Sequence, residues 1–79
     1  MSNYQSKVIK KYEKLGYYVI NLVKTNRNGI PDLLCLKKGE VPLFVECKGP
    51  GDTIKPLQEY RVRELKGLGF DAIFDVYKK

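Results

Sequence analysis

Apolar residues near the beginning of the chain recur at the spacing of an α-helix. The apolar side consists of Val8, Ile9, Tyr12 and Leu15. Lysines occupy much of the remaining surface of the same segment. This alternation predicts an amphipathic helix over residues 2–16. Ser2 is its expected N-cap, and Gly16 is its expected C-terminal stop.

Three β-rich runs follow the predicted helix. They are residues 17–23 (YYVINLV), 31–37 (PDLLCLK) and 41–48 (VPLFVECK). A polar loop, KTNRNG, separates the first two runs, and Lys38, Gly39 and Glu40 form a turn between the second and the third. Because these connections are short, we expect the three strands to form an antiparallel meander.

A second helix and a fourth strand complete the pattern. The helix is predicted from Pro56 to about Leu68, with Gly69 as its stop. The run DAIFDVY, residues 71–77, is the fourth strand. Strand three, this helix and strand four form a crossover, which is expected to be right-handed and to make the two strands parallel. The sequence therefore predicts one α/β domain over residues 1–79, in the order α-β-β-β-α-β, with helices flanking a mixed sheet.

The central hairpin is expected to bring two carboxylates together. Three-residue hairpin loops commonly carry a glycine in the left-handed conformation, which suits Gly39. Lys37 then faces Val41, and counting back along both strands brings Asp32 opposite Glu46. Lys48 shares the face of Glu46, because side chains alternate along a strand. The rest of that face, and the whole opposite face, are apolar.

Facing carboxylates repel one another, and a partly buried charge without a partner is costly. A divalent cation would resolve this conflict. Mg²⁺ binds through one or two carboxylates, keeps several waters and takes further contacts from phosphate. The hairpin therefore predicts a metal site. Two other interpretations remain open: Asp32 caps the turn after Asn28, or Glu46 and Lys48 form an exposed pair on an edge strand.

Composition narrows the range of chemistry. The net charge is +6, which favours polyanions such as nucleic acid. The absence of histidine excludes Ser-His-Asp and Cys-His catalysis and His-ligated zinc. Cys35 and Cys47 are too far apart in the expected register for a disulfide, so both are predicted to be small core residues. No apolar run approaches a membrane span, and no signal peptide is evident, which predicts a cytoplasmic protein in a bacterial or phage-infected cell.

Two carboxylates, a metal and a lysine suit hydrolysis of a phosphodiester. The metal would polarise the phosphoryl oxygen and lower the pKa of bound water. Lys48 would either orient or deprotonate that water, or stabilise the charge that develops on the phosphate. The sequence leaves both roles open.

These residues resemble a known family. Pro31-Asp32 followed by Glu46-Cys47-Lys48 resembles the PD-(D/E)xK nuclease superfamily. The segments GIPDLL, FVECK and DTIKPLQ together resemble its virus-type replication-repair nuclease branch, the VRR-NUC domain. The resemblance covers nearly the whole chain and includes the order of elements. It implies a restriction-endonuclease-like core and an endodeoxyribonuclease that depends on Mg²⁺ or Mn²⁺.

The resemblance also implies roles for individual residues. Asp32 and Glu46 would ligate the metal, together with the backbone carbonyl of Cys47. Lys48 would be the catalytic lysine, and Gln58 a polar catalytic group from the second helix. Small phage-type relatives imply a homodimer that acts on branched DNA, such as the four-way Holliday junction. The alternative function is a catalytically inactive DNA-binding module with the same fold.

The chain departs from the family pattern at Gln5. Many relatives carry a glutamate in the first helix that joins the metal site, and Gln5 is its counterpart here. An amide adds no negative charge, which favours a single metal. Gln5 has an equally plausible structural role, because Ser2 and Gln5 match a capping box.

The second helix has a predicted apolar stripe made of Leu57, Tyr60, Leu65 and Leu68. Arg61 lies within this stripe and is expected to extend its charged end to water, with phosphate or a partner subunit as the alternative. Gln58 lies on the flank, from where it can reach the end of the sheet. The predicted DNA-binding residues are Lys7, Lys10, Lys11, Lys24, Arg27, Lys55 and Arg61.

Overall fold

The computed structural model describes residues 3–78 and contains two helices and four strands among them. The predicted order is confirmed, and each element is shorter than its predicted span. The helices are α1 (Asn3–Lys14) and α2 (Pro56–Gly67), and the strands are β1 (Tyr18–Asn21), β2 (Leu33–Leu36), β3 (Leu43–Lys48) and β4 (Asp71–Val76). The predicted N-cap, Ser2, lies outside the described residues. Neither helix is long and apolar enough to cross a membrane.

The four strands form one sheet in the order β1-β2-β3-β4. β1, β2 and β3 are an antiparallel meander, and β4 pairs with β3 in parallel. This is the predicted mixed sheet. Residues 37–42 are too few for a parallel connection between β2 and β3, whereas the crossover through α2 returns the chain in the direction of β3.

The predicted register of the central hairpin is confirmed. Leu33 pairs with Val45, and Cys35 pairs with Leu43. The turn between the strands closes with a hydrogen bond from the Glu40 amide to the Lys37 carbonyl, 3.0 Å long. Gly39 has a φ of +82°, which is the left-handed conformation that the three-residue loop requires. One glycine thus fixes which residues meet at the other end of the hairpin.

Each face of the sheet is covered by one helix, so the structure has two small cores. On the α1 side the buried cluster comprises Val8, Tyr12, Leu33, Cys35, Val45 and Cys47. On the α2 side it comprises Val62, Leu65 and Ala72, packed against Phe44 and Phe74. Both cysteines are free and buried, as predicted. Burial raises the pKa of Cys35 to about 11 and that of Cys47 to about 12, which keeps both thiols protonated.

The sheet-facing side of α2 is rotated from the predicted apolar stripe: Leu65 is buried as predicted, whereas Leu57, Tyr60 and Leu68 are exposed. Val62 and Leu65 are buried, whereas Leu57 and Tyr60 are 44% and 51% exposed. The side of α2 that faces the sheet carries Gln58, Arg61, Val62 and Leu65, which follow helical spacing. This side begins over the charged end of the sheet, so its first turns are polar. A prediction from apolar residues alone therefore places the buried side of α2 too far from Gln58 and Val62, which face the sheet.

Asp75 fastens β4 to α1. Its carboxylate accepts hydrogen bonds from the Tyr4 hydroxyl and the Lys11 ammonium. Burial opposes ionisation of Asp75, but the hydrogen bonds from Lys11 and Tyr4 outweigh it, and the net pKa is lowered. Because β4 has a strand partner on one side only, these contacts hold the edge of the sheet against the rest of the domain.

Candidate active site

Asp32 meets β3 directly before β2 begins. The last hairpin pair at this end is Leu33 and Val45, so Asp32 lies one residue past the ladder and faces Glu46. One Asp32 oxygen, Oδ2, accepts the backbone N–H of Cys47 at 2.9 Å. The carboxylate therefore takes the place of a backbone acceptor directly before the first residue of β2. The expected meeting of Asp32 and Glu46 follows from this arrangement.

Pro31 leaves the backbone carbonyl of Cys47 facing the same point. Continuing the register places Pro31 opposite Cys47, at a hydrogen-bonded position of the antiparallel ladder. At such a position the N–H and the C=O of a residue both face the partner strand. The N–H of Cys47 is directed to the β2 side, towards Asp32, whereas Lys48 uses its carbonyl on the β4 side to accept from the Tyr77 amide. Proline has no N–H to offer the Cys47 carbonyl. The Pro-Asp pair thus presents one carbonyl and one carboxylate at the same place.

Glu46 is buried beside this carboxylate, with 4% of its surface exposed. Burial and the neighbouring charge of Asp32 raise the pKa of Glu46 to about 7, and Lys48 opposes the shift. The Lys48 Nζ lies 3.7 Å from Glu46 Oε2, and Lys48 is itself buried. The ammonium therefore pairs with Glu46, which has the Asp32 carboxylate beside it as well. This is an electrostatic arrangement that a bound cation would stabilise.

Gln58 connects α2 to Glu46. Its Nε2 donates to Glu46 Oε2 at 3.3 Å, and its Oε1 accepts the backbone N–H of Lys55 at 3.0 Å. Gln58 occupies the third position of the helix, so it satisfies a backbone donor at the helix start and a site carboxylate at once. The expected reach of Gln58 to the end of the sheet is what the structure has.

Arg61 does not extend to water, so the prediction for its charged end is wrong. Its Nε donates to the backbone carbonyl of Asn28 at 2.8 Å, and its Nη1 pairs with Glu64 at 3.0 Å. The side chain is only 15% exposed. The cause is the loop before β2, which runs close to α2 and offers Arg61 a carbonyl. Arg61 is therefore attached to this loop through its Nε and paired with Glu64 through its Nη1.

Gln5 approaches the site from the opposite helix. Its Nε2 donates to Asn21 Oδ1 at 3.1 Å. Both amides line a cavity of about 210 Å³ together with Leu22, Val23 and Asp32. Gln5 thus shares a cavity with Asp32, at the place expected for the first-helix acid. No role for Asn21 was predicted from the sequence. The available signal was a polar residue at the end of an apolar strand, and the structure pairs Asn21 with Leu33.

The remaining predicted DNA-binding residues are exposed, apart from the engagement of Lys11 with Asp75. Lys7, Lys10, Lys11 and Lys14 line one groove of about 440 Å³ along α1. Lys24 and Arg27 lie in the loop before β2, and Lys55 precedes α2. That loop and the start of α2 touch each other and flank the carboxylates.

The donor atoms at the site suit a hard divalent cation. They are the carboxylates of Asp32 and Glu46 and the carbonyl of Cys47, all oxygen, which matches Mg²⁺ or Mn²⁺ better than a softer metal. Within residues 3–78 no group of three or more His, Cys, Asp or Glu side chains converges to hold a metal. Two carboxylates fit one Mg²⁺ that keeps several of its waters. The residues present therefore fit a single ion.

A sheet with one parallel pair, a helix on each face and two carboxylates beside a lysine at a strand end define a PD-(D/E)xK-type nuclease fold. The model of the VRR-NUC domain family matches residues 2–74. A solved structure described as a VRR_NUC domain superposes with a TM-score of 0.73 at 28% identity, covering 89% of this chain and 76% of that one. The chain belongs to the VRR-NUC family.

A relative from a phage supports the class of activity. The chain is 34% identical over 67 residues to a protein named "Putative nuclease p44" from Acyrthosiphon pisum secondary endosymbiont phage 1. The match spans 84% of this chain and 71% of that protein. The family and this relative together support a nuclease function, that is, hydrolysis of phosphodiester bonds.

Proposed function

We propose that this protein is a divalent-metal-dependent DNA endonuclease whose site is Asp32, Glu46, Lys48 and Gln58. The observation that carries the proposal is Glu46, which is 4% exposed and lies beside a second carboxylate. A domain of this size has little core to spare, and such a pair weakens it unless a cation binds. Structural roles alone do not explain why both acids and Lys48 are kept together.

Asp32, Glu46 and the Cys47 carbonyl would hold Mg²⁺ or Mn²⁺. When bound, such an ion supplies Lewis-acid stabilisation of the phosphate and an acidified water. Lys48 would supply positive charge, and a hydrogen-bond donor, for the negative charge that develops on the scissile phosphate. Gln58 restrains the Glu46 carboxylate by donating to one of its oxygens.

Branched DNA, such as the four-way junction, is the substrate we propose, with a homodimer as the active form. The net charge of +6 and the lysine groove along α1 support contact with a DNA backbone. A two-fold dimer suits a two-fold substrate. Exposed apolar side chains support association with a second copy; they include Val41, Leu68, Phe70 and Ile73.

Cleavage of defined DNA tests the proposal. The purified protein is incubated with a synthetic four-way junction, its linear duplex and a single strand, in Mg²⁺, Mn²⁺ or EDTA. We expect cleavage of the junction only with metal. Lys48→Ala and Asp32→Asn should abolish the product while DNA binding survives. Lys38→Ala is the matched control. Lys38 is exposed in the turn at the far end of the hairpin, so this variant should cleave the junction like the wild type.

The second candidate is a DNA-binding module without catalysis. One observation favours it: Gln5 sits beside the site without contributing a charge. Junction binding without cleavage under every metal condition would support this candidate and reject the first. Strong dependence of binding on salt is expected for both and cannot separate them.

A further inference from the structure

We infer that Arg61 is a positioning residue that fixes Asp32 relative to Glu46 and thereby sets the affinity of the site for its metal. The inference rests on the proposed function, because it concerns the same two carboxylates. It explains a polar residue on the sheet-facing side of α2, where packing would favour an apolar one.

The loop before β2 is held to α2 at two adjacent residues. Arg61 donates to the carbonyl of Asn28, and Leu57 packs against Gly29. Gly29 has a φ of +81°, and a Cβ at this position would lie 2.7 Å from the Leu57 Cγ. The backbone therefore approaches the helix as closely as a glycine allows. Only Ile30 and Pro31 separate this contact from Asp32.

Three partners restrict the Arg61 side chain. Asn28 accepts from its Nε, Glu64 pairs with its Nη1 at 3.0 Å, and the Tyr60 ring lies 5.4 Å from the guanidinium carbon. A planar guanidinium held on several sides loses little further freedom when it binds a carbonyl. Arg61 is thus a rigid attachment for the loop.

The same helix also holds the other carboxylate. Gln58 lies three residues before Arg61, on the same side of α2, and donates to Glu46. Asp32 is therefore positioned through Arg61, and Glu46 through Gln58, by one rigid element. A helix that contacts Glu46 and the loop leading to Asp32 restrains their separation at a point where β2 has not yet begun.

The first test measures metal binding without DNA. Mn²⁺ is titrated into the wild type, Arg61→Met, Arg61→Lys and Arg63→Met, and the free ion is followed by electron paramagnetic resonance. Arg61→Met should weaken binding at least about tenfold, which is typical when a residue that orients a metal ligand is lost. Arg61→Lys should restore part of the affinity through one hydrogen bond. Arg63 is exposed on the same helix, so Arg63→Met should bind Mn²⁺ like the wild type.

The second test reads the position of Asp32 in the metal-free protein. The Cys47 amide donates to Asp32 Oδ2, so its hydrogen-exchange rate measured by NMR reports whether Asp32 is in place. Exchange at Cys47 should accelerate in Arg61→Met towards the rate in Asp32→Ala, while exchange at Val62 stays slow. Should Arg61→Met fail to fold, Leu57→Ala loosens the same loop and should change Cys47 in the same direction.

The two tests separate this inference from the proposed function. Absence of Mn²⁺ binding by the wild type would overturn the proposed function, while Cys47 exchange would still decide whether Arg61 positions Asp32. The inference is overturned when Arg61→Met keeps Cys47 exchange unchanged. It is also overturned when that variant binds Mn²⁺ normally and loses affinity only for DNA, since Arg61 would then contact phosphate.

Discussion

Replacing Glu46 by glutamine should stabilise the metal-free protein at neutral and alkaline pH. The pKa of Glu46 is raised from 4.5 to about 7, chiefly by burial and then by the charge of Asp32. A difference of one in pKa corresponds to about 1.4 kcal/mol. Ionised Glu46 therefore costs the folded state about 3 kcal/mol above pH 7, a large share of the stability of so small a domain.

The pH dependence of this cost has a definite sign. Below pH 4.5, Glu46 is protonated in both the folded and the unfolded chain, so it does not lower the free energy of unfolding. Between pH 4.5 and 7 the unfolded chain releases the proton and the folded chain retains it, so stability falls as the pH rises. Above pH 7 the loss is complete. Glutamine has no proton to release and should not show this contribution.

Urea unfolding of both proteins in EDTA, followed by far-ultraviolet circular dichroism from pH 5 to 8, measures the effect. At pH 5, only about half a pH unit above the pKa of Glu46 in the unfolded chain, Glu46→Gln should be the more stable by less than about 1 kcal/mol. Glu46→Gln should become more stable by about 3 kcal/mol at pH 8. Mg²⁺ added at pH 8 should stabilise the wild type and leave the variant unchanged. Glu40→Gln, in the exposed turn, is the control.

A difference in stability between the two proteins that stays constant from pH 5 to 8 would refute the reasoning. It would mean that Glu46 ionises in the folded protein as readily as in the unfolded chain. Glu46 would then be solvated or fully neutralised by Lys48, and the electrostatic case for a cation would lose its basis.

Two further changes test the scaffold. Asp75→Asn should lower the free energy of unfolding by about 1–3 kcal/mol at pH 7, because it weakens the attachment of β4 to Lys11. The loss should shrink as acid protonates the wild-type carboxylate, whose pKa is lowered. Urea unfolding at pH 7 and pH 3 checks this, and equal losses at both would contradict it. Gly29→Ala should destabilise the protein more than Gly39→Ala does. Both glycines have a positive φ, so alanine adds about 1–2 kcal/mol of backbone strain at either position, but only at Gly29 does the new Cβ meet Leu57. Equal losses in thermal unfolding would exclude that contact.

The fold and the centre of the site were predictable because two local rules agree. A glycine at position 39 selects the hairpin loop, and alternation along the strands then decides which residues face each other. The register that follows brings Asp32 opposite Glu46. No long-range information was needed, since both acids belong to one hairpin.

The contribution of α2 was not predictable in the same way. Its sheet-facing side contains Gln58 and Arg61. Apolar periodicity put Gln58 only on the flank of the predicted stripe, and it directed the charged end of Arg61 to water. Which side of a helix faces the sheet depends on what the sheet presents there, and here it presents carboxylates. Asn21 was missed for a related reason: its partner Gln5 lies 16 positions earlier, on another element.

The hairpin keeps its turn and its chemistry at opposite ends. Gly39 is seven residues before Glu46, roughly 20 Å along an extended strand. A Cβ at Gly39 would meet nothing within 4 Å. The turn is thus a natural entry point for a fused reporter or a surface tether, because a guest sequence there would project away from the carboxylates and leave the register of the strands intact.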